Sequence, residues 1–363
     1  MKILLVSNMY PSKKHPHYGV FVENTEKVLR RLPEVKISKA VLSKQDSKLG
    51  KLLGYLFFYM KILIMGIMGN YDVIYGHFIS HICLPLRLVK KCNRRVRLVL
   101  NAHGNDVIAD SPQDDKWVAL SHKLVPLADY VIVPSNYFKQ VMCRDFAVAE
   151  DKLLVYPSGG VDTQVFCPKE SQRLKEKYQL DLDKKYIGYI SRIEVDKGWD
   201  TFLKAVATLS NRGDLGFIVV GGGEQEAQFN EMVQQLGVAE KIIRYPLLSQ
   251  AQIAQIYNVL DVFCFPTRRK SESLGLVGLE AIACGCLTVT SDAGGPESYM
   301  HDGINGFVFR RNSESELTQK LLQALSLTPE QRAAIGDGMD KTRQDYATDN
   351  VNKILLDFFS RLL

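Results

Sequence analysis

Short apolar runs alternate with longer stretches of helical periodicity along the whole chain. This alternation predicts parallel β-sheets covered by helices, because a parallel strand is reached through a crossover that is usually a helix. Eleven strands are predicted, at residues 2–7, 35–42, 72–75, 96–101, 130–134 and 152–156 in the front half and at 186–191, 215–220, 241–245, 262–266 and 287–290 in the back half.

The chain of 363 residues is about twice a typical domain in length, and each half repeats the same Rossmann-like alternation of strand and helix. Residues 157–162, with the sequence PSGGVD, interrupt the pattern and suit a hinge. We predict an α/β protein of two Rossmann-like domains, 1–160 and 161–345, facing across a cleft. The apolar pattern near the C-terminus predicts a helix within 346–363 that packs back on the N-terminal domain.

One apolar segment, residues 52–68, has two interpretations that both stay open. It is shorter than the ~20 residues that span a bilayer, and Lys61 lies in its middle, so a helix covering the front sheet accounts for most of it. The same helix could also touch a membrane or a lipid acceptor. Basic residues within 44–68 and 87–97 would attract anionic headgroups there.

Charge is unevenly distributed between the halves. Residues 1–170 carry 24 Lys and Arg against 15 Asp and Glu, a balance of +9, and the rest carry 22 against 25, a balance of −3. No nucleic-acid module accompanies the basic half, so we expect no nucleic-acid partner. The seven scattered cysteines favour free thiols in a reducing compartment, and Met1 leads directly into a predicted strand. We therefore expect a cytoplasmic protein, at the inner face of the membrane if the membrane contact holds.

Two cations follow the first strand of the back half. Arg192 and Lys197 lie in the stretch SRIEVDKG, where a strand ends and a helix opens. Together they could bind a diphosphate, arginine as a fork and lysine as a point charge. Two ordinary surface cations beside Glu194 and Asp196 are the alternative.

A second motif, PTRRKSESLGLVGLEA, follows the apolar run VFCF. Gly275 stands where a helix should begin, and the free amides near Leu276 and Val277 would favour a phosphate. Glu280 could accept hydrogen bonds from two ribose hydroxyls, and Glu272 could hold hydroxyls of a sugar. The two glutamates alone are weak evidence for a ligand-binding site. Together with Arg192 and Lys197 upstream they are much stronger evidence for one.

These residues resemble glycosyltransferase family 4, whose members have the GT-B arrangement of two Rossmann-like domains. The matching features are Arg192-x4-Lys197-Gly198, Glu272-x7-Glu280 around Gly275-Leu276-Val277, the helix sequence EAIACG, Gly294-Gly295-Pro296-Glu297 and Gly160-Val161-Asp162. The similarity runs over essentially the whole chain and is most specific in the second half. One departure is Leu274, where the family often has phenylalanine.

The resemblance implies a retaining transferase that moves a hexose or N-acetylhexosamine from a nucleotide diphosphate sugar, with UDP favoured and GDP second. It places Arg192 and Lys197 on the diphosphate, Glu280 on the ribose and Glu272 on sugar hydroxyls. The back domain would bind the donor and the front domain the acceptor, a lipid-linked or surface-polysaccharide intermediate. The nucleotide sugar is a substrate, and no further cofactor is expected.

Three front-half positions are candidates beside these. Gly19, at the start of the first helix, could bring amides to the diphosphate; Tyr18-Gly19 replaces the Gly-Gly of many members, as in exopolysaccharide and teichuronic-acid types. The match to the family His-Gly places His103 against the donor sugar. Asp106 is expected to cap the next helix, and Ser135 is a weaker candidate for a sugar or phosphate contact.

Two further functions stay open: a non-catalytic nucleotide-sugar-binding protein and a sugar-nucleotide epimerase on the same fold. A NAD-dependent oxidoreductase is disfavoured, because GGGEQE at residues 221–226 lacks the third glycine of the dinucleotide fingerprint.

No metal-ligand cluster stands out in the sequence, so we expect the transfer to be insensitive to EDTA. The measurement is the rate of transfer with and without EDTA. A strict requirement for magnesium would contradict this expectation.

Overall fold

The computed structural model describes residues 1–362, and contacts between residues divide them into two compact units. The first unit consists of Met1–Gly159 together with the chain from Val351 onward, and the second of Gly160–Asn350. The hinge predicted at residues 157–162 contains the point where the first unit passes into the second.

The first unit contains a six-stranded parallel sheet in the order β2-β1-β3-β4-β5-β6. Its strands are β1 (Lys2–Ser7), β2 (Lys36–Val41), β3 (Val73–His77), β4 (Arg97–Asn101), β5 (Tyr130–Val133) and β6 (Leu153–Val155). Its helices are α1 (Val20–Leu29), α2 (Lys48–Met68), α3 (Ile79–Cys92), α4 (Asp115–Leu124) and α5 (Asn136–Phe146).

The second unit contains another six-stranded parallel sheet, in the order β12-β11-β10-β7-β8-β9. Its strands are β7 (Lys185–Ile190), β8 (Leu215–Val220), β9 (Ile242–Tyr245), β10 (Val262–Phe265), β11 (Leu287–Ser291) and β12 (Phe307–Phe309). Its helices are α6 (Ser171–Lys177), α7 (Trp199–Leu209), α8 (Glu226–Gln235), α9 (Gln250–Val259), α10 (Leu276–Ala283), α11 (Glu314–Leu325) and α12 (Pro329–Asp345).

The last helix, α13 (Thr348–Arg361), completes the core of the first unit. Its buried residues Val351, Leu355 and Phe359 join a cluster with apolar side chains of β1 and β3. The Phe359 ring lies 5.1 Å from that of Tyr75, and the Tyr156 hydroxyl donates to Asn352 Oδ1 over 3.1 Å. The helix therefore covers one face of the sheet, while α2 and α3 contribute to the separate apolar cluster that contains Phe58 and Val89.

The predicted fold class of two Rossmann-like α/β domains is confirmed. A strand is present at each of the eleven predicted places, with ends that differ by at most two residues. The twelfth strand, β12, was not predicted, because its three residues are too few to show a periodicity.

The prediction for residues 52–68 needs a correction. The helix starts at Lys48 and has 21 residues, so it is longer than the apolar segment suggested. It does pack beside the sheet, but it buries only Phe58, Ile62 and Gly66. A helix that simply covers a sheet would bury a wider stripe and turn a polar face to solvent.

We expect Phe359→Ala to lower the free energy of unfolding of the first unit by about 3–5 kcal/mol, because it empties a fully buried aromatic site. Urea unfolding followed by circular dichroism measures the change, with Lys353→Ala on the exposed side of the same helix as control. Equal effects of the two substitutions would show that α13 does not stabilise the core.

Candidate active site

The loops that follow β7 and β10 lie next to each other in the second unit. The two strands are neighbours in the sheet, and the chain continues from them toward opposite edges. Ligands of such sheets bind outside the carboxyl ends of the strands where the strand order reverses. Arg192 and Lys197 follow β7, and Glu272 and Gly275 follow β10. The topology therefore brings both predicted motifs to the place where a ligand is expected.

Backbone contacts hold these two loops together. The Arg268 N–H donates to the Asp196 carbonyl oxygen over 2.8 Å. Gly198 adopts a left-handed conformation with φ of 71°, and a Cβ atom there would overlap the carbonyl oxygen of Pro266. A side chain at this position would push the loops apart. Lys197, the residue before it, is thereby fixed against the loop that follows β10.

A buried ion pair joins the two motifs. Lys197 is only 8% exposed, and its Nζ lies 2.6 Å from Glu272 Oε2. The Thr267 hydroxyl donates to the same oxygen over 3.2 Å. Because an ammonium group has three N–H donors, this contact with Glu272 leaves donors for an anionic ligand. The ion pair therefore holds a cation in position before any ligand binds.

Gly294 and Gly295, which follow β11, position Glu272. The Gly295 N–H donates to the Glu272 carbonyl oxygen over 2.6 Å. Gly294 has φ of 63°, and a Cβ atom there would lie 2.8 Å from the same oxygen. These glycines therefore shape the loop that holds the Glu272 backbone.

Arg192 lies apart from the ion pair in the ligand-free chain. Its side chain is 61% exposed, and its Nη1 donates to Glu194 Oε1 over 2.7 Å. Lys197 and Arg192 are thus each paired with a carboxylate, and binding a diphosphate requires Arg192 to exchange Glu194 for the ligand. An exposed pair of this kind contributes little energy, so the exchange is easy.

Helix α10 begins as the sequence predicts. Gly275 is its N-cap, with φ of 75°, and a Cβ atom there would lie 2.7 Å from Phe265 and 3.0 Å from Pro296. The Tyr299 hydroxyl donates to the Gly275 carbonyl oxygen over 2.8 Å. The first intrahelical N–H bond is that of Gly278, so the amides of Leu276 and Val277 precede it. These amides and the helix dipole favour an anion at this end.

Glu280 lies inside α10, with its side chain partly buried. Burial raises its pKa to about 7, and the nearby Tyr257 hydroxyl opposes the shift. That hydroxyl is itself buried and satisfies the distance and angle of a hydrogen bond to no group among residues 1–362. Glu280 and Tyr257 are therefore two neighbouring polar groups within the otherwise apolar core around α10.

In the first unit, His103 follows β4 and pairs its half-buried imidazole with the buried imidazole of His77. Its Nε2 lies 3.0 Å from His77 Nδ1, and its ring stacks on Phe78 with 5.0 Å between centroids. Burial lowers the pKa of His103 to about 3 and that of His77 well below its ordinary value. Both rings are therefore neutral near pH 7, and His103 is suited to a hydroxyl rather than to a phosphate.

Gly19 has the position predicted for it, whereas Asp106 has a different role from the one predicted. Gly19 is the N-cap of α1 with φ of 78°. Asp106 does not cap the following helix; it accepts N–H bonds from His103 and Gly104, and from Ile79 at the start of α3. The buried Ser135 caps α5 through the Phe138 N–H, so its hydroxyl serves the helix.

One pocket of the second unit escaped the sequence reasoning. Its volume is about 730 Å³, and it lies beside Arg192 at the carboxyl ends of β8 and β9. The end of β9 and the residues that follow β8 and β9 line it: Gly221, Gly222, Glu226, Asn230, Arg244, Tyr245, Pro246 and Leu247. The glycines at 221–223 were considered only as an incomplete dinucleotide fingerprint. Their position after a strand was the signal that could have revealed the pocket.

Two Rossmann-like units, with a buried lysine and a helix N-terminus at the strand-order reversal of the second, are typical of the class of proteins that bind nucleotides. A family model described as "Glycosyltransferase Family 4" matches residues 19–165, and one described as "Glycosyl transferases group 1" matches residues 170–341. Together the two matches cover most of the chain. The protein therefore belongs to glycosyltransferase family 4, and its fold is of the GT-B type.

Curated relatives are consistent with this membership. The chain is 28% identical over 251 residues to the D-inositol 3-phosphate glycosyltransferase of Mycobacterium ulcerans, covering 66% of this chain and 52% of that protein. It is 29% identical over 269 residues to the GDP-mannose-dependent alpha-(1-6)-phosphatidylinositol monomannoside mannosyltransferase of Mycolicibacterium smegmatis, covering 69% and 67%. The chain spans about half the length of the M. ulcerans relative.

Solved structures share the fold at low identity. Anabaena Alr3699/HepE in complex with UDP and glucose superposes with a TM-score of 0.76 at 18% identity, covering 99% of this chain and 100% of that one. Sucrose-phosphate synthase from Thermosynechococcus elongatus gives a TM-score of 0.81 at 15% identity, covering 100% and 99%.

The raised pKa of Glu280 predicts a specific pH dependence of stability. The folded protein holds the Glu280 proton up to about pH 7, whereas the unfolded chain releases it near pH 4.5. The stabilisation by the protonated form is therefore complete below pH 4.5 and is lost as the pH rises through 7. We expect Glu280→Gln to gain about 2–3 kcal/mol relative to wild type between pH 5 and pH 8.

Thermal unfolding of the two proteins across this range measures the gain, with the exposed Glu240→Gln as control. A difference in stability between Glu280→Gln and wild type that does not change with pH would contradict the raised pKa of Glu280.

Proposed function

We propose that the protein is a retaining glycosyltransferase that moves a hexose or N-acetylhexosamine from a nucleotide diphosphate sugar to a lipid-linked or surface-polysaccharide acceptor. The observation that carries the proposal is the Lys197–Glu272 ion pair beside the N-terminus of α10, at the strand-order reversal of the second sheet. A fixed ammonium and free helix amides suit a diphosphate, and a fixed carboxylate suits the hydroxyls of a sugar attached to it.

The groups of the second unit that would bind the nucleotide are the following. Lys197, Arg192 and the amides of Leu276 and Val277 would hold the diphosphate. Glu280 would accept hydrogen bonds from the ribose hydroxyls, a contact that favours its ionised form and lowers its pKa. The pocket that contains Arg244 and Tyr245 adjoins Arg192 and would take the base.

The donor sugar would contact the carboxylate of Glu272. The Lys197 ammonium and the Thr267 hydroxyl fix one oxygen of Glu272, and its carboxylate would accept sugar hydroxyl protons. The neutral imidazole of His103 can exchange one hydrogen bond with a sugar hydroxyl, the contact that the family resemblance assigns to it.

The reaction would be a substitution on one face of the sugar. The bond from the anomeric carbon to the diphosphate oxygen breaks, and the acceptor hydroxyl forms a new bond to that carbon on the same face. The hydroxyl proton passes to an oxygen of the departing diphosphate, whose charge Lys197, Arg192 and the α10 amides stabilise. A double displacement with Glu272 as the nucleophile is disfavoured, because one oxygen of its carboxylate already accepts two hydrogen bonds.

The choice of UDP as donor remains part of the proposal. The Anabaena structure holds UDP and glucose, which supports it, and the M. smegmatis relative is named as GDP-mannose-dependent, which keeps GDP as second candidate. A thermal-shift screen of UDP-, GDP- and ADP-sugars separates them, since a ligand that binds only the folded form raises the melting temperature.

We expect Lys197→Ala to lower the rate of sugar transfer by about 100-fold or more, because it removes charge stabilisation from the leaving diphosphate. Lys204→Ala, an exposed lysine on α7, is the matched control and should transfer at the wild-type rate. Thermal unfolding of both variants checks that they fold, since Glu272 loses its counter-charge in the first.

Transfer by Lys197→Ala at the wild-type rate would refute the mechanism. Nuclear magnetic resonance of the product reports whether the anomeric configuration is retained. Conversion of the donor without any acceptor would indicate the epimerase, and nucleotide binding without turnover on any acceptor would indicate a binding protein.

A further inference from the structure

The outer face of α2 is the most unusual surface of the first unit. The helix is long and apolar enough, by length and composition, to cross a membrane, yet only 17% of its most apolar window is buried. Leu52 is 68% exposed and Phe57 is 62% exposed. The large apolar residues exposed along this one helix are Leu49, Leu52, Leu53, Leu56, Phe57, Met60, Ile64, Ile67 and Met68.

These residues form one continuous face. At about 100° per residue, the buried Phe58, Ile62 and Gly66 define one side of α2, and the exposed apolar residues occupy the opposite side. The lysines do not interrupt that side: Lys48 and Lys51 are in the first turn of the helix, and Lys61 falls at the edge of the face. A helix on a water-exposed surface normally places its charged residues in the centre of this face.

The neighbouring helix adds apolar and cationic groups. α2 packs against α3, with Gly66 close to Val89 and with the Asn93 side chain donating to the Gly66 carbonyl oxygen over 3.2 Å. On α3, the exposed Leu84 and Leu88 line a pocket of about 870 Å³ together with Leu127.

The charge of this region is of one sign. Arg87, Lys91 and Arg94 line the same pocket, and these three make no ion pair with any of residues 1–362. The sequence contains no aspartate or glutamate from residue 47 to residue 71 and none from 73 to 105, so α2 and α3 are free of acidic side chains. An apolar face on one helix, with unpaired cations on the helix packed against it, matches an anionic lipid surface, in which acyl chains lie beside phosphate groups.

We propose that the outer face of α2, together with Leu84, Leu88 and the cations of α3, docks the protein on an anionic lipid bilayer. The helix lies in the interface and does not span it, because its buried side packs on α3 and on the sheet, which would otherwise enter the hydrocarbon. The role is that of an interfacial helix held by apolar burial and by attraction to headgroup phosphates.

The N-terminal end of the same helix leads to a second pocket. This pocket has a volume of about 320 Å³, lies at the carboxyl end of β1 and is lined by Lys44, Lys51 and Tyr55 among others. Docking by α2 would bring it close to the lipid headgroups. If the proposed function holds, the acceptor is an amphiphile of the same bilayer, whose polar group enters this pocket.

The test of docking is co-sedimentation of the full chain, without nucleotide, with vesicles of phosphatidylcholine alone or with phosphatidylglycerol added. We expect binding to the anionic vesicles and at least tenfold weaker binding to the neutral ones. Leu56→Ser with Phe57→Ser should lower binding to anionic vesicles at least tenfold. The matched control replaces two exposed apolar residues of the second unit, Leu182→Ser with Ile304→Ser.

The cations are tested separately. Arg87→Gln with Lys91→Gln should weaken binding to anionic vesicles about 25-fold, at about fivefold per cation near the surface, and should reduce the preference over neutral vesicles. Lys204→Gln with Lys241→Gln in the second unit is the control for net charge.

Wild-type protein that stays in the supernatant with both kinds of vesicle would overturn docking. So would a Leu56→Ser, Phe57→Ser variant that binds as wild type does. A dimer in sedimentation velocity that this variant dissociates, without vesicle binding, would assign the face to a second copy of the chain instead.

Failure of docking and failure of the proposed function are distinguishable, because vesicle binding is measured without donor or acceptor. Transfer to a water-soluble acceptor should be unchanged in the Leu56→Ser, Phe57→Ser variant, whereas transfer to an acceptor held in vesicles should fall with binding. Loss of both transfers to the same extent would contradict a docking role.

Discussion

The candidate donor site depends on one interaction, the ion pair between Lys197 and Glu272. Two charges that are mostly withdrawn from water persist only when each compensates the other, and removal of either partner leaves an uncompensated charge. The pair links loops that follow different strands, and the close approach of Gly198 to Pro266 makes the contact possible. The groups proposed for phosphate stabilisation and for sugar recognition are therefore not independent of each other, since one contact sets the position of both.

Strand order explains why these loops meet. The strands themselves, although not their order in the sheet, were predictable from the sequence. The strands are short buried runs separated by helical periodicity, and such a signal survives without tertiary information. The twelfth strand carries no such signal, because the three residues Phe307–Phe309 are too few to show a periodicity. The motifs around Gly275 and Gly198 were likewise predictable, since left-handed turns after strands demand glycine.

What the sequence could not provide is the pairing of side chains in space. Nothing in its spacing showed that Lys197 meets Glu272 while Arg192 pairs with Glu194. The contact between His77 and His103 joins residues that follow separate strands, and Asp106 caps a helix that precedes it in the chain. The extent of burial of α2 also depends on its neighbours in space. The sequence of an apolar helix does not show whether its outer face is covered or exposed.

The last helix has a consequence for how the molecule is made. Val351, Leu355 and Phe359 fill part of the core of the first unit, yet they follow the whole second unit in the chain. During synthesis the ribosome delivers them only after the second sheet has emerged. The part of the first core that α13 completes therefore lacks its last residues while nearly two hundred residues of the second unit are translated. A nascent chain stalled before Val351 would leave the Tyr75 ring without its contact with Phe359, and chaperones hold apolar groups exposed in this way.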